Sequence, residues 1–359
     1  SDPVLRSGSG LQDLAAGLLK RGLAVPRISR RGVVGAFTVT KKRNKLRLIF
    51  DCRQVNAKLR TPPRSHLSTA TALTQLRVRR DLSGASRPFS GAVCSVDLVD
   101  SFYRFKWIEG SEWFSLDGTF RAGELGVERA LDEHNEWVAV DCTDLIFVCV
   151  CTPVMGCSWS LYFCHSNCAD VSVTALERSG VSRDVALGQI VLDGRPSPRV
   201  EPGLPGLAPY VDNFQALCWD AEDAELWCFS VTKILDLGLA YRVECRSLPG
   251  FTLVGLDVDM QKLFIRNAPK RWWRARAACY AVVRQRRISG YGMQVLVGHL
   301  VNLSLVFRPF LSILSAVFRF IVENEDRVAE IDEHVVGELR TAAALLPFLG
   351  CSIEERFGK

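Results

Sequence analysis

Two short apolar segments that lie far apart in the sequence each end in an aspartate. Residues 93–97 end in Asp97, residues 210–212 end in Asp212, and both segments are typical of buried strands. A carboxylate at the end of a buried strand is costly unless a cation lies beside it. If the two strands pair side by side, Asp97 and Asp212 meet at one edge of a sheet. Carboxylates placed in this way can hold two divalent ions for in-line phosphoryl transfer.

The basic residues are concentrated in two blocks that contain almost no acid. The 359-residue chain has a formal net charge of +6. Between Asp13 and Asp81, seventeen lysines and arginines accompany a single acid, Asp51. Between Asp259 and Glu323, eleven lysines and arginines accompany no acid at all. Because ordinary protein surfaces mix both signs of charge, these blocks favour a cleft that grips a polyanion over two merely solvated faces.

Composition indicates a globular protein with free thiols. Hydrophobic residues make up 48% of the chain, which is too many for a disordered segment. An odd count of 13 cysteines without any CxxC pair does not fit a disulfide framework. A zinc site among a local cluster is conceivable, but free cysteines buried in a core are the simpler interpretation. The cluster consists of Cys149, Cys151, Cys157, Cys164, His165 and Cys168.

No targeting signal is visible in the sequence. Residues 303–322 form the one apolar stretch that invites comparison with a membrane span, but Arg308, Pro309 and Arg319 interrupt it. Buried helices are therefore favoured over a spanning helix. We expect an intracellular protein, nuclear or cytoplasmic, without membrane contact. Because the chain begins at Ser1, we also expect a processed product or an excerpt.

The hydrophobic pattern predicts strands and helices over most of the chain. Residues 144–151 and 251–257 have the composition of strands, whereas residues 221–239 and 325–346 have the apolar periodicity of helices. Residues 180–208 are rich in Gly and Pro, which predicts a loop.

The order of the motifs resembles that of reverse transcriptases. Tyr210-Val211-Asp212-Asn213 resembles the Tyr-x-Asp-Asp hairpin of the third catalytic motif, and the segment around Asp97 resembles the first. Among reverse transcriptases, the motifs are most similar to those of eukaryotic retrotransposon enzymes and less similar to retroviral ones. The segments that carry the resemblance are residues 37–56, 93–103, 152–160, 210–213, 253–256, 298–300 and 308–311.

The resemblance implies an α+β fold, namely a right-hand polymerase with fingers, a palm of antiparallel sheet backed by helices, and a helical thumb. It also implies a division of the chain into six parts. These are residues 1–92, the N-terminal part of the fingers; 93–117, the first catalytic strand of the palm; 118–150, a fingers insertion; 151–258, the palm with the second and third motifs and the primer grip; 259–322, the thumb; and 323–359, the helical start of a connection segment.

The activity implied by the resemblance is RNA-directed DNA polymerisation by a retroelement enzyme. The reaction would be a two-metal nucleotidyl transfer to a primer 3′-hydroxyl. Asp97, Asp212 and the backbone carbonyl of Leu98 would hold Mg²⁺, or Mn²⁺ in its place. The implied partners are an RNA or DNA template with a primer, and deoxynucleoside triphosphates. The sequence does not indicate an oligomeric state.

The resemblance also implies contacts with the nucleotide. Arg47 would meet the triphosphate because a planar guanidinium suits phosphate, with Lys41 or Lys42 assisting. Phe102 would block a ribose 2′-hydroxyl and so select deoxynucleotides. The remaining implied contacts are Asp100, Met155 and Gly156 with the nucleotide, and Leu253, Gly255, Lys270, Arg271 and Arg274 with nucleic acid.

Asn213 departs from the family pattern, which usually has a second aspartate at this catalytic position. A neutral amide is a weaker ligand than a carboxylate, so the site should bind metal less tightly. This keeps a second hypothesis open, an impaired or domesticated homologue that binds nucleic acid without polymerising. A third hypothesis, a template-dependent RNA polymerase, is disfavoured by Phe102.

Overall fold

The computed structural model describes residues 8–41, 45–80 and 84–355. The chain divides into two compact units, each built from separate stretches of sequence. The first unit comprises Ser1–Ser65 and Leu98–Asn167, and the second comprises His66–Asp97 and Cys168–Lys359.

Helices and strands alternate irregularly along the chain. The α-helices are α1 (Gly8–Lys20), α2 (Arg53–Asn56), α3 (Ala70–Thr74), α4 (Ser158–Glu177), α5 (Arg183–Gly188), α6 (Ala221–Leu235), α7 (Pro269–Gln285), α8 (Gly290–Leu303), α9 (Ser315–Asn324) and α10 (Glu333–Leu345). Short 3-10 helices span Ser101–Tyr103, Ser111–Trp113, Ala122–Leu125, Ser304–Val306, Arg308–Ile313 and Leu346–Phe348.

The strands are short and numerous. They are β1 (Ala24–Arg27), β2 (Val33–Lys41), β3 (Lys45–Asp51), β4 (Arg77–Val78), β5 (Ala92–Leu98), β6 (Ser115–Leu116), β7 (Phe120–Arg121), β8 (Arg129–Leu131), β9 (Trp137–Ala139), β10 (Leu145–Val150), β11 (Arg199–Val200), β12 (Gly206–Leu207), β13 (Asn213–Cys218), β14 (Tyr241–Leu248), β15 (Gly250–Leu253), β16 (Leu256–Asp259), β17 (Phe264–Asn267), β18 (Arg287–Ser289), β19 (Val328–Glu330) and β20 (Gly350–Ser352).

The first unit is built on one mixed sheet. Its strands lie in the order β3-β2-β6-β10-β1-β8-β9, and β7 pairs with β10. The hairpin of β2 and β3 is antiparallel along its whole length, from Gly35 opposite Asp51 to Lys41 opposite Lys45. By contrast, β2 with β6 and β1 with β8 are parallel pairs. Apolar side chains from these strands form one core with α1.

A buried arginine ties parts of the first unit together. Arg27 at the end of β1 is only 1% exposed. Its Nε donates to Ser111 Oγ at 2.9 Å, its Nη1 donates to the Asp132 carbonyl at 3.2 Å, and its Nη2 donates to the Ile108 carbonyl at 3.1 Å. Its Nη2 also lies 3.4 Å from Glu112 Oε2. A buried guanidinium is tolerated here because its N–H groups have acceptors and its charge has a counterion.

The second unit combines two four-stranded sheets with a helical group. One sheet has the order β12-β13-β5-β14, and α6 packs against β13 and β14. The other sheet has the order β15-β16-β17-β20, and two short pairs join β4 with β11 and β18 with β19. Helices α7 and α9 each pack against α8 and α10. A continuous apolar core underlies these elements.

Two predictions of secondary structure were wrong because local composition hid short elements. Residues 180–208, predicted as a loop, contain α5, β11 and β12. Their Gly and Pro content concealed apolar residues, including Val191 and Val200, that are buried in the core of the second unit. Residues 251–257, predicted as one strand, form the hairpin of β15 and β16, because Val254 and Gly255 both adopt positive φ angles and reverse the chain.

The helix predicted over residues 325–346 begins later than expected. Asp332 is its N-cap, and the Asp332 carboxylate accepts a hydrogen bond from the Val335 amide at 2.8 Å. A capping aspartate marks the first turn of a helix and stops the helix from extending backwards. The preceding residues instead form β19, which pairs with β18.

The apolar residues 303–322 are helical: they contain the 3-10 helices Ser304–Val306 and Arg308–Ile313 and most of α9. In the part of the chain that the structure describes, no helix is both long enough and apolar enough to cross a bilayer.

Replacement of the buried arginine should destabilise the protein strongly. Arg27→Ala removes a buried cation and leaves Glu112 and two carbonyls without their partner, so the free energy of unfolding should fall by about 3–5 kcal/mol. Urea denaturation measures this change. Arg31→Ala is the matched control, since Arg31 is exposed and surface substitutions usually change stability by less than about 0.5 kcal/mol. Equal effects of the two substitutions would contradict the assigned role of Arg27.

Candidate active site

The two aspartates of the sequence motifs lie at one end of a pair of antiparallel strands. In the pairing of β5 with β13, Asn213 lies directly opposite Asp97, and the pairing continues to Cys218 opposite Ala92. Six of the seven residues of β5 are buried, and Asp97 is half-buried. The apolar run therefore fixes β5 inside the sheet and presents a carboxylate at its end.

Asp212 lies on a tight turn that begins β13. The backbone N–H groups of Tyr210 and Asn213 each donate to the other residue's carbonyl at 2.9 Å, which leaves Val211 and Asp212 as the central residues. Val211 has a φ angle of 58°, so the turn has the positive φ at its first central position that usually selects glycine. A β-branched residue is strained in this conformation. The mutual backbone bonds and a bond from Cys168 Sγ to the Asn213 carbonyl at 3.2 Å hold the turn.

The side chain of Asn213 orients the carboxylate of Asp212. Asn213 Nδ2 donates to Asp212 Oδ1 at 2.9 Å. Asp97, Asp212 and the amide oxygen of Asn213 together offer oxygen donors of the kind that Mg²⁺ prefers. The donor set present in this chain therefore fits a hard divalent cation, with the Leu98 carbonyl as a further predicted ligand.

A polar column continues from Asp97 along the same face of the sheet. Ser95 lies two residues before Asp97, and Gln215 lies directly opposite Ser95, so these side chains share a face with Asp97. Ser95 Oγ donates to Glu244 Oε2 at 2.9 Å. The buried Oε1 of Gln215 has no hydrogen-bond partner within the described residues, and an orphaned acceptor is a common sign of a water or ion. The sequence analysis missed Ser95 and Gln215, although Ser95 lies two residues before Asp97 and Gln215 lies two residues after Asn213, a spacing that places strand residues on the same face.

The predicted phosphate contacts lie on the hairpin of β2 and β3 in the first unit. Lys41 is opposite Lys45, and Arg47 is opposite Val39. Since residues directly opposite or two apart share a face, Lys41, Lys45 and Arg47 lie on one exposed face. Lys42 lies outside the described residues. The hairpin thus groups three cations, as a site for a phosphate chain requires.

The single acid of the first basic block is paired locally. Arg53 Nε donates to Asp51 Oδ1 at 2.8 Å, and Arg53 Nη2 donates to Asp51 Oδ2 at 2.6 Å. These bonds lower the pKa of Asp51 to about 2. Asp51 therefore stays ionised at neutral pH and forms an ion pair with Arg53.

The turn that follows β5 is fastened to β3. Tyr103 Oη donates to the Leu48 carbonyl at 3.5 Å, and burial is the main cause that raises the pKa of Tyr103. In the same turn Phe102 is half-buried and Asp100 is exposed, with a φ angle of 53° at Asp100. The structure therefore fastens the turn that contains Phe102, through Tyr103, to the hairpin that carries Arg47.

Gly156 makes a close approach that only glycine allows. Its φ angle is 122°, and a Cβ atom built on it would lie 1.9 Å from the Phe50 carbonyl oxygen. Asn56 Nδ2 donates to the Gly156 carbonyl at 2.8 Å, and Asn56 Oδ1 accepts from the Ser158 amide at 3.0 Å. The Met155 carbonyl accepts from the Phe50 amide at 3.0 Å. Asn56 ends the segment 37–56 that carries the sequence resemblance, and its role as a brace for this turn was missed.

The predicted primer-grip residues lie at the tip of the hairpin of β15 and β16. Leu253 is fully buried, whereas Val254 and Gly255 form the turn with φ angles of 50° and 79°. Arg271 Nη1 donates to the Gly255 carbonyl at 3.3 Å. Arg271 therefore supports the hairpin in this structure, a role that the sequence did not reveal.

Helix α7 carries an exposed basic face without any acid in its sequence. Lys270 and Arg274 are exposed, and the guanidinium of Arg276 lies 5.1 Å from the ring centroid of Trp273 and 5.6 Å from that of Tyr280. Cations interleaved with aromatic rings suit a phosphate backbone with accessible bases.

The cysteine cluster noted in the sequence contributes buried thiols. Cys149, Cys151, Cys157, Cys164 and Cys168 are all buried, as is His165. Within residues 8–41, 45–80 and 84–355, no three His, Cys, Asp or Glu side chains converge in a way that could hold a metal ion.

Replacement of the strained valine should stabilise the fold. Val211→Gly relieves a strained φ angle that costs about 1–3 kcal/mol, and the entropy cost of glycine offsets only about 0.5–1 kcal/mol of this. The free energy of unfolding should therefore rise by about 1 kcal/mol, as measured by urea denaturation. Val39→Gly in the extended strand β2 is the control, and it should lower stability. A loss of stability in both variants would show that the turn is unstrained.

No protein-family model and no curated protein matches the sequence. Solved structures of foamy viral protease-reverse transcriptase do share its fold. The dRH form in complex with double-stranded DNA gives a TM-score of 0.61 at 15% identity, over 96% of this chain and 48% of that chain. The complex with double-stranded DNA gives 0.59 at 14% identity, over 97% of this chain and 58% of that chain. The complex with an RNA/DNA hybrid gives a TM-score of 0.56 at 16% identity, over 96% of this chain and 37% of that chain.

This chain therefore spans between 37% and 58% of the length of these similar proteins. The likeness establishes a reverse transcriptase-like fold and confirms the predicted α+β class of a right-hand polymerase.

Proposed function

We propose that this protein is an RNA-directed DNA polymerase of a retroelement. The observation that carries the proposal is the placement of Asp97 opposite Asn213, beside Asp212 on a strained turn. Strained backbone held by its surroundings is concentrated at functional sites. Two of the structurally similar proteins were solved with double-stranded DNA and one with an RNA/DNA hybrid, which supports a template and primer as the partners of this chain.

The carboxylates of Asp97 and Asp212, with the Leu98 carbonyl, would hold Mg²⁺ or Mn²⁺. When bound, the metal would lower the cost of charge on the primer oxygen and on the leaving pyrophosphate. The amide of Asn213 keeps the Asp212 carboxylate in one orientation through the bond from its Nδ2. This orientation reduces the reorganisation that metal binding requires.

Residues of the first unit would select and position the nucleotide. Arg47 would bind the triphosphate through its planar guanidinium, assisted by Lys41, which shares its face of the hairpin. The Phe102 ring would exclude a ribose 2′-hydroxyl. Met155 and Gly156 would lie against the nucleotide. Asp100 remains a proposed contact through its backbone.

Residues of the second unit would hold the template and primer. Leu253 and Gly255 would form the primer grip, and Lys270, Arg271 and Arg274 would meet phosphates. Arg271 would have fewer N–H groups free for a phosphate, because its Nη1 already donates to the Gly255 carbonyl. The six-part division into fingers, palm, thumb and connection stays a prediction, as do the nuclear or cytoplasmic location and the retrotransposon origin.

Loss of the first carboxylate should abolish catalysis but not binding. Asp97→Asn removes a charge that matters mainly in the transition state, so primer extension on poly(rA) with oligo(dT) should fall by at least about 100-fold. Template-primer affinity, measured by fluorescence anisotropy, should change little. Asp117→Asn is the control, since Asp117 is an exposed acid of the first unit. Extension at the parent rate by Asp97→Asn would overturn the catalytic assignment.

A second candidate function, nucleic-acid binding by an impaired homologue, is favoured by the neutral amide of Asn213 opposite Asp97. Asn213→Asp distinguishes the two. In an active polymerase the added charge should strengthen metal binding and lower the Mg²⁺ concentration for half-maximal extension. Crowding with Asp212 should raise a carboxyl pKa and limit the gain.

In an impaired homologue the parent should be inactive at every Mg²⁺ and Mn²⁺ concentration, and only the Asn213→Asp variant could extend a primer. Gln261→Glu, which adds an acid at an exposed position, is the control for a general effect of charge. Identical metal dependence in an active parent and the Asn213→Asp variant would place Asn213 outside the metal site.

A further inference from the structure

The first unit contains an aromatic cavity that none of the proposed catalytic roles uses. Its volume is about 430 Å³, within the range of about 300–1,000 Å³ that is typical of ligand sites. Most of its lining is apolar, with few polar groups. The apolar lining consists of Leu59, Trp107, Trp113, Phe114, Trp159 and Phe163.

The rings support one another around an open space. Trp159 and Phe163 are stacked with centroids 5.4 Å apart, and Trp107 meets Phe163 edge to face at 6.1 Å. Phe163 is 38% exposed, and Trp107 and Trp159 are half-buried. Aromatic rings in a packed core cover one another completely, whereas these rings leave surface open toward the cavity. The arrangement therefore resembles a platform for a planar group.

Two residues of the basic block contact rings that line the cavity. Trp159 Nε1 donates to the Arg60 carbonyl at 2.7 Å, which ties one wall to the acid-poor basic block of the sequence. Lys58 Nζ lies 5.7 Å from the centroid of the Trp113 ring. Both Lys58 and Arg60 are exposed. Glu109 lines the cavity as well, and its carboxylate can accept hydrogen bonds only.

We propose that this cavity binds an unpaired base of a single-stranded nucleic acid. Every base has a π-face that stacks on aromatic side chains, and Lys58 and Arg60 would neutralise the phosphates on either side of the bound base. Glu109 would accept a hydrogen bond from the exocyclic amino group of adenine or cytosine. The inference rests on the proposed nucleic-acid partner, but it does not depend on catalysis.

An apolar side chain of a protein partner would also fill such a cavity. The basic block favours the nucleic acid instead, because Asp51, the acid of that block, is already paired with Arg53. Lys58 and Arg60 are exposed and can meet a polyanion, and a protein partner becomes an outcome that the test must be able to detect.

The test compares two labelled oligonucleotides that differ only in their bases. The full chain is titrated against oligo(rA) of about eight nucleotides, within the site sizes of single-strand binders, and against an abasic strand of the same length. Fluorescence anisotropy should show oligo(rA) binding roughly fivefold to 150-fold more tightly, the range expected from one stacked base. Phe163→Ala and Trp159→Ala should reduce this preference, and Trp159→Phe should restore part of it.

Trp137→Ala is the matched control. Trp137 is 43% exposed on β9 in the same unit and does not line the cavity, so its loss should leave the base preference intact. Thermal unfolding followed by circular dichroism shows whether each variant is folded. Where Trp159→Ala is unfolded, the exposed Phe163 and the ring-preserving Trp159→Phe variant carry the test.

The result that overturns the proposal is equal affinity for oligo(rA) and the abasic strand in the parent protein, as a protein-binding cavity would give. A base preference that persists in a folded Phe163→Ala and Trp159→Ala would overturn it too. Asp97→Asn should keep the preference. A parent that prefers bases but never extends a primer would refute the polymerase proposal alone, whereas an active parent without base preference would refute the cavity assignment alone.

Discussion

The central constraint in this protein is a carboxylate that ends an otherwise buried strand. Burial of β5 on both sides fixes its register against β13, because a slip by one residue would turn every side chain to the opposite face. That register places Asn213 opposite Asp97. It also places Ser95 opposite Gln215, in the polar column that continues from Asp97 along the same face of the sheet. The apolar residues of β5 therefore determine the position of the charged one, and the polar face of the sheet follows from the same pairing.

Two hairpins of the second unit place a β-branched residue where glycine is usually found. Val211 and Val254 have φ angles of 58° and 50°, and strain of this kind costs about 1–3 kcal/mol at each position. Each turn is held from outside: Cys168 bonds to the residue after one turn, and Arg271 bonds to Gly255 in the other. The strain is tolerated because neighbouring elements determine both turns, and it keeps the side chains of the turns in fixed directions.

Sequence patterns predicted the elements that local chemistry determines. The apolar run of residues 93–97 identified β5, whereas residues 210–212, predicted as the end of a buried strand, form the turn that precedes β13. The side chain of Asp220, which accepts from the Asp223 amide at 2.9 Å, caps α6 where the periodicity began. Contacts between distant segments could not be predicted in this way. Asn56 braces Gly156 across 100 residues, and Arg27 finds its acceptors more than 80 residues away. Such partners depend on the folded arrangement, for which a single sequence contains no local signal.

The amide at position 213 changes the balance of charge at the candidate site. A carboxylate there would stand opposite Asp97 and next to Asp212, and three such charges repel one another until a cation arrives. The amide avoids this repulsion and donates to Asp212 Oδ1, so the metal-free sheet gains a hydrogen bond where it would otherwise carry a third negative charge. The same substitution removes one anionic ligand. On the proposed function, the amide stabilises the metal-free sheet at the expense of affinity for the cation, so a polymerase with this site would need a higher concentration of the free cation for half-maximal extension.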